Sequence, residues 1–211
     1  MKLYICGDIQ GKLNELVQKI IQENIKDSYI IVSGNIGAGS SGFEKLYEDK
    51  LESDLNKNNI KILGVRGNQD NPEWFDGKHD YSNLKFLEDY KQFEISGKTI
   101  YPIGGSISQN EKTYQEKEDI TRENPEDFPV KSDILVTHEA PISFDPVILR
   151  DQEEELSVYE DILSWRRYLD TMLQEINVKS WYFGKYHKSY SGYFGKTVYH
   201  SLGELELCEV C

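Results

Sequence analysis

The stretch KLYICGDIQG at residues 2–11 sets the reading of the chain. KLYIC is a short run of strand-forming side chains, and it stops at a glycine followed by a carboxylate, Gly7-Asp8. The same plan recurs along the chain. SYIIVS runs into Gly34-Asn35-Ile36-Gly37, and IKILGV runs into Arg66-Gly67-Asn68-Gln69-Asp70. DILVT runs into His138-Glu139-Ala140-Pro141, and SWYF runs into Gly184-Lys185-Tyr186-His187. In an open α/β sheet the carboxyl ends of the strands converge on one crevice, where ligands bind. Five polar tips of this kind predict one shared site.

Between these strands the apolar spacing turns helical. Leu13, Leu16, Ile20 and Ile21 predict a helix over residues 12–24, and Phe43, Leu46, Leu51 and Leu55 predict another over 42–57. The order strand–helix–strand–helix–strand implies parallel pairing through right-handed crossovers. Residues 93–105 read as a hairpin turning at Ser96-Gly97-Lys98, and 106–131 as a polar, acidic excursion. Residues 156–177 predict a long amphipathic helix carrying Trp165, Tyr168, Leu169 and Met172. Three further strand-like runs follow, at 180–184, 188–201 and 204–210. The expected whole is a two-sheet α/β sandwich with helices outside, one domain over residues 1–211.

Composition narrows the function classes. The chain has 211 residues, enough to bury a core without disulfide staples. It carries 24 Lys+Arg against 37 Asp+Glu, a formal net charge of −13. Such a field repels polyanions, so nonspecific nucleic-acid binding and attachment to anionic membranes are not expected. No apolar run approaches the roughly 18–20 residues of a membrane span. The three cysteines make no disulfide framework, and the first residues lack a signal-peptide pattern. The expected location is a reducing cytoplasm. Cys208-Glu209-Val210-Cys211 reads as a strand edge, since half a zinc site is weak evidence.

The five tips, in order from residue 7 to 187, resemble the motifs of the calcineurin-like metallophosphoesterases, and small bacterial and phage members look most similar. The resemblance implies a mixed β-sandwich in four layers, α/β/β/α. It also implies a dinuclear centre of Mn, Fe or Zn that activates water for phosphomonoester or phosphodiester hydrolysis. Carried over position by position, Asp8, Asn35, Asn68, His138 and His187 stand at metal-ligand positions. Gln69 stands at the catalytic-histidine position, and the resemblance makes Asp70 beside it the second candidate catalytic residue. Four positions depart from the pattern: Gln10 and Lys185 replace histidines, Asn35 replaces the bridging aspartate, and Gln69 replaces the catalytic histidine.

These departures have chemical weight. An amide does not bridge two cations as a carboxylate does, and Gln69 cannot donate a proton at neutral pH. One carboxylate, Asp8, remains, and Lys185 adds a fixed positive charge. The expectation is therefore a metallophosphoesterase fold with a disabled centre, holding no metal or a residual divalent ion. A weakly active metal-dependent hydrolase is the second reading. The third is a binder of a phosphorylated small molecule or nucleotide, with Gln10, Lys185 and Arg66 as phosphate contacts and the Lys185 ammonium near Asp8 in a metal's place.

Overall fold

The computed structural model describes residues 1–106, 131–144 and 156–211. The acidic excursion and the run Asp151–Glu155 lie, apart from Ser106 and Lys131, outside the described residues.

Two mixed sheets carry the fold. The first has the order β11-β1-β2-β3-β4, built from β1 (Lys2–Cys6), β2 (Ser28–Ser33), β3 (Ile60–Val65), β4 (Leu84–Phe86) and β11 (Leu207–Glu209). β1 through β4 pair in parallel and β11 closes the edge antiparallel to β1. The second sheet has the order β5-β6-β7-β8-β10-β9. Its strands are β5 (Phe93–Ile95), β6 (Lys98–Ile103), β7 (Lys131–Thr137), β8 (Asn177–Phe183), β9 (Tyr190–Phe194) and β10 (Thr197–Ser201). The β5–β6 hairpin turns at Ser96 and Gly97, both with positive φ, which gives the twist a two-residue hairpin needs.

Side-chain alternation decides what each sheet faces. On β2, Ile30 and Val32 point to one core while Ile31 points to another; on β3, Ile60 and Ile62 oppose Leu63 and Val65 in the same way. The first core packs under helix α1 (Leu13–Gln22), which buries Leu13, Leu16, Val17 and Ile20 at helical spacing. The middle core lies between the sheets and joins Leu3, Ile5 and Val65 to Ile134, Val136 and Tyr182. A third core sits under helix α4 (Leu156–Glu175) and gathers Trp165, Leu169 and Met172 against Tyr101, Leu135 and Trp181. Each fully buried Leu or Ile contributes roughly 1.5–3 kcal/mol of transfer free energy, so three such cores hold the four layers together.

The expected helix over 42–57 is three pieces: α2 (Phe43–Leu46), a π-helical turn (Tyr47–Leu51) and α3 (Glu52–Asn58). The buried set is Phe43, Tyr47, Leu51 and Leu55, spaced by four. In a regular α-helix that spacing drifts by about 40° per step and would carry the last residue off the core. The wider π turn brings it back. The sequence pattern missed Tyr47 for this reason, and it also missed the three-residue β4. Among the described residues, no helix is long and apolar enough to cross a membrane.

The sheets meet at a close backbone crossing. Gly7 N–H donates to Glu206 O at 2.9 Å, and a Cβ on Gly7 would stand 2.0 Å from Gly203 O. Gly7→Ala should therefore lower unfolding stability by about 3 kcal/mol or more, since backbone rather than a movable side chain blocks the methyl. Urea denaturation followed by circular dichroism would read the loss.

Candidate functional site

Each functional side chain stands just past a strand end. β1 delivers Asp8 and Gln10, β2 delivers Asn35, β3 delivers Asn68 and Gln69, β7 delivers His138 and β8 delivers Lys185 and His187. Gln10, Asn35 and His187 all hold φ near +50°, a region costly for side-chain-bearing residues and concentrated at functional sites. At Gly34, with φ +108°, a Cβ would lie 2.1 Å from His138 Nδ1. Only glycine lets β2 pass this close to the imidazole.

Asp8 is 1% exposed and is the acceptor on which the site converges. Its Oδ1 accepts from Gln10 N at 2.8 Å. Its Oδ2 accepts from Gln10 Nε2 at 2.7 Å and from Asn35 Nδ2 at 2.9 Å, and meets His187 Nε2 at 3.2 Å. Burial alone would raise the Asp8 pKa. The hydrogen bond from His187, the nearby His138 ring and the Gln10 donors outweigh it and hold the carboxyl below its ordinary range. The same bond to Asp8 raises the His187 pKa. Asp8 does not cap the first helix, whose N-cap is Lys12 with no side-chain cap bond.

Asn35 is 1% exposed and its amide orientation is fixed from outside, because Oδ1 accepts from Gln69 N at 2.9 Å. Nδ2 therefore faces inward. It reaches Asp8 Oδ2, Asn68 Oδ1 at 3.2 Å and His138 Nε2 at 3.4 Å. An NH2 group thus points into the space between these three groups. His138 is fully buried, with Nδ1 at 3.0 Å from Ser33 O and Nε2 at 2.9 Å from Asn68 Oδ1. A neutral imidazole has one N–H for these two oxygens. Burial lowers the His138 pKa against the pull of Asp8. On the exposed side, Gln69 Nε2 donates to Gln10 Oε1 at 3.1 Å, so the two glutamines form one chain of amides ending on Asp8. Among the described residues, no three His, Cys, Asp or Glu side chains are disposed to hold a metal ion.

Three residues do other work than expected. Asp70, read beside Gln69 as catalytic, is buried and accepts from the backbone N–H groups of Gly67, Ile36, Gly37 and Ala38 at 2.7–3.2 Å. It fastens the β2 tip to the β3 tip, and burial raises its pKa despite those donors. Arg66, expected as a phosphate contact, is buried with Asp89, Nε to Oδ2 at 2.9 Å. Lys185, expected to offer its ammonium beside Asp8, spends it on Glu139 Oε2 at 2.6 Å and on Ser106 Oγ. The sequence pattern assigns Glu139 no role. It is 1% exposed, accepts from Tyr186 Oη, and has Arg166 Nε at 4.0 Å. Burial pushes the Glu139 pKa up, but the Lys185 and Arg166 charges outweigh it and bring it to about 2. The signal for this pair was the coincidence of a lysine at a family histidine position with an acid in the neighbouring tip. His79 and His200, which lie outside the motifs, stack on Trp74 and Tyr182.

Two outcomes follow. Asp70→Ala leaves four backbone donors without their acceptor and should cost about 3 kcal/mol or more, read by urea denaturation. Glu139 has a folded-state pKa below its unfolded value of 4.5, so its contribution is present above that pH and is lost as pH falls toward 2. A Glu139→Gln variant should be less stable at neutral pH and should show a flatter decline between these limits than the parent. Thermal unfolding across acid pH would measure both.

The model for calcineurin-like phosphoesterases matches residues 1–188. Among solved structures, phosphopantetheinyl hydrolase of Mycobacterium tuberculosis shares 13% identity over 99% of this chain and 96% of that one, with a TM-score of 0.47. A Staphylococcus aureus protein assigned as a 5′-nucleotidase shares 14% identity over 96% of this chain, with a TM-score of 0.45. This chain spans 48% of that protein's length. No curated protein sequence matches the chain. The family match, covering most of the sequence, identifies the protein as a member of the calcineurin-like phosphoesterase family.

Proposed function

We propose that the protein is a calcineurin-like phosphoesterase homologue whose dinuclear metal centre is disabled. One observation carries the reading. The Asn35 NH2 group is turned inward by the Gln69 backbone and donates toward Asp8, Asn68 and His138. A donor group thus stands where a bridging carboxylate would have to accept two cations. The remaining donor set does not fit a dinuclear centre either. Asp8 is engaged by four donors from Gln10, Asn35 and His187, and Lys185 brings an ammonium where the family brings an imidazole.

The ion pair of Lys185 with Glu139 supports the same reading. An ammonium, a carboxylate and the Arg166 guanidinium already meet in this region, with Glu139 and Arg166 buried and Lys185 largely so. Taking such a pair apart is costly, because each charge left behind lacks both partner and water. The binder reading loses support, since Lys185 and Arg66 are both held in ion pairs.

One geometric feature favours a mononuclear remnant as a second reading: His138 Nε2 and Asn68 Oδ1, two potential ligand atoms, face each other at 2.9 Å. Metal content per chain separates the readings. Elemental analysis after dialysis against Mn²⁺ should give near zero, with no phosphodiester hydrolysis above buffer. One retained metal would establish the remnant, and two would overturn the proposal. The combined variant Gln10→His, Asn35→Asp, Gln69→His, Lys185→His should gain bound Mn²⁺ and measurable hydrolysis.

A further inference from the structure

Asp76 is the only aspartate or asparagine of the 211 residues that precedes a glycine. The pair follows the short 3₁₀ turn Pro72–Phe75, and Asp76 through Asp80 are all exposed. An aspartate before glycine lets the next peptide nitrogen reach the side-chain carboxyl, because no Cβ on the second residue shields that nitrogen. Gly77 has φ +79°, and among the described residues its N–H donates no hydrogen bond. Asp27-Ser28, another aspartate before a small residue, is the contrast. Ser28 is buried, and its N–H donates to Asn59 O at 3.2 Å at the start of β2.

The Asp76 carboxylate is turned toward Lys78. Oδ2 accepts from Lys78 Nζ at 2.6 Å, and Oδ1 accepts from Lys78 N at 2.9 Å. The ammonium bond, then the backbone bond, hold the carboxyl below its ordinary range, which keeps it ionised and a poor electrophile. The clamp is weak, since the two side chains are 36% and 78% exposed. On the same turn, His79 lies flat on Trp74, with ring centroids 4.8 Å and planes 10° apart. Trp74 is half-buried, edge-on to Phe43 and Phe86. The exposed run from Asp76 to His79 thus sets the imidazole on the indole.

We propose that Asp76-Gly77 is a site of spontaneous backbone rearrangement, in which Asp76 becomes isoaspartate and His79 leaves Trp74. Gly77 N bonds to Asp76 Cγ, and the amide hydrogen departs with the carboxyl hydroxyl as water. The cyclic imide then takes up water. Opening at the Cγ carbonyl restores aspartate. Opening at the former main-chain carbonyl leaves the chain running through Cγ, longer by one carbon, with a free α-carboxylate. Atomic composition is unchanged, and no oxidant or cofactor enters. The added carbon displaces Lys78 and His79 along the chain, so the parallel stack on Trp74 is lost. Lys78 protects the site for as long as it holds the carboxyl away from Gly77 N. The chemistry is independent of the metal centre.

The full chain is incubated at neutral pH with moderate warming. Isoaspartate is then mapped on tryptic peptides by electron-transfer fragmentation, and counted by methyl incorporation with an isoaspartate-specific carboxyl methyltransferase. Asp76 should convert and Asp27 should not. Lys78→Ala should speed conversion about two- to fivefold, the range set by loss of an exposed ion pair. Asp76→Glu, whose longer side chain must close a larger ring, should suppress it. With Trp165 and Trp181 buried, tryptophan emission should change in step with the isoaspartate fraction. His79→Ala should show the emission of the converted protein from the start. All three side chains are exposed, so circular dichroism should show the fold intact. Absence of isoaspartate at Asp76 would overturn the inference. So would an equal yield at Asp27, an unchanged rate in Lys78→Ala, or conversion that leaves the emission unmoved.

Discussion

Asp8 is the point on which the site depends. A carboxylate with almost no exposure is tolerable only when its oxygens are supplied with donors. Those donors come from strands distant in sequence: Gln10 beyond β1, Asn35 beyond β2 and His187 beyond β8. The tips must therefore converge for Asp8 to be buried at all. Asp70 performs the same service one shell out, collecting four backbone N–H groups from two tips. Two carboxylates thus hold the loops that the sheet alone would leave apart.

The region around Asp8 is filled. Amides and an ion pair fill it. Carboxamides can donate and accept at once, so Gln69, Gln10 and Asn35 form a continuous chain to the carboxylate. On the other side, Lys185 and Glu139 neutralise each other in place, with Tyr186 and Arg166 closing round the acid. Gln10, Asn35 and His187 hold left-handed conformations within this network. The strained backbone at the tips is thus held by a network of amides and ion pairs.

Much of this was legible before the structure. The strand tips were marked by glycine and polar residues, because sharp turns and close approach demand them, and the tips do converge. The helix at 43–58 was partly misread because a π turn breaks the regular period on which such readings rest. Side-chain direction was the harder matter. An Asp next to Gln69 reads as chemistry, yet its orientation toward loop N–H groups depends on a tip more than thirty residues away. The partners of Arg66 and Lys185 were hidden for the same reason, since Asp89 and Glu139 are joined to them only by the fold.

The pairing of β1 with β11 carries a consequence for how the chain reaches this state. Tyr4 and Glu209 bond across 205 positions, and the first sheet lacks its outer strand until they meet. Contacts so far apart in sequence demand loop closure before they reward it, which slows folding. The parallel strands β1 to β3 are joined by local crossovers, whereas the Gly7–Gly203 crossing beside Asp8 belongs to the long closure between the first strand and the last residues. Burial of Asp8 is thus tied to contacts between the first strand and the last residues, and weakening the β1–β11 pairing is expected to reach the pocket as well as the sheet edge.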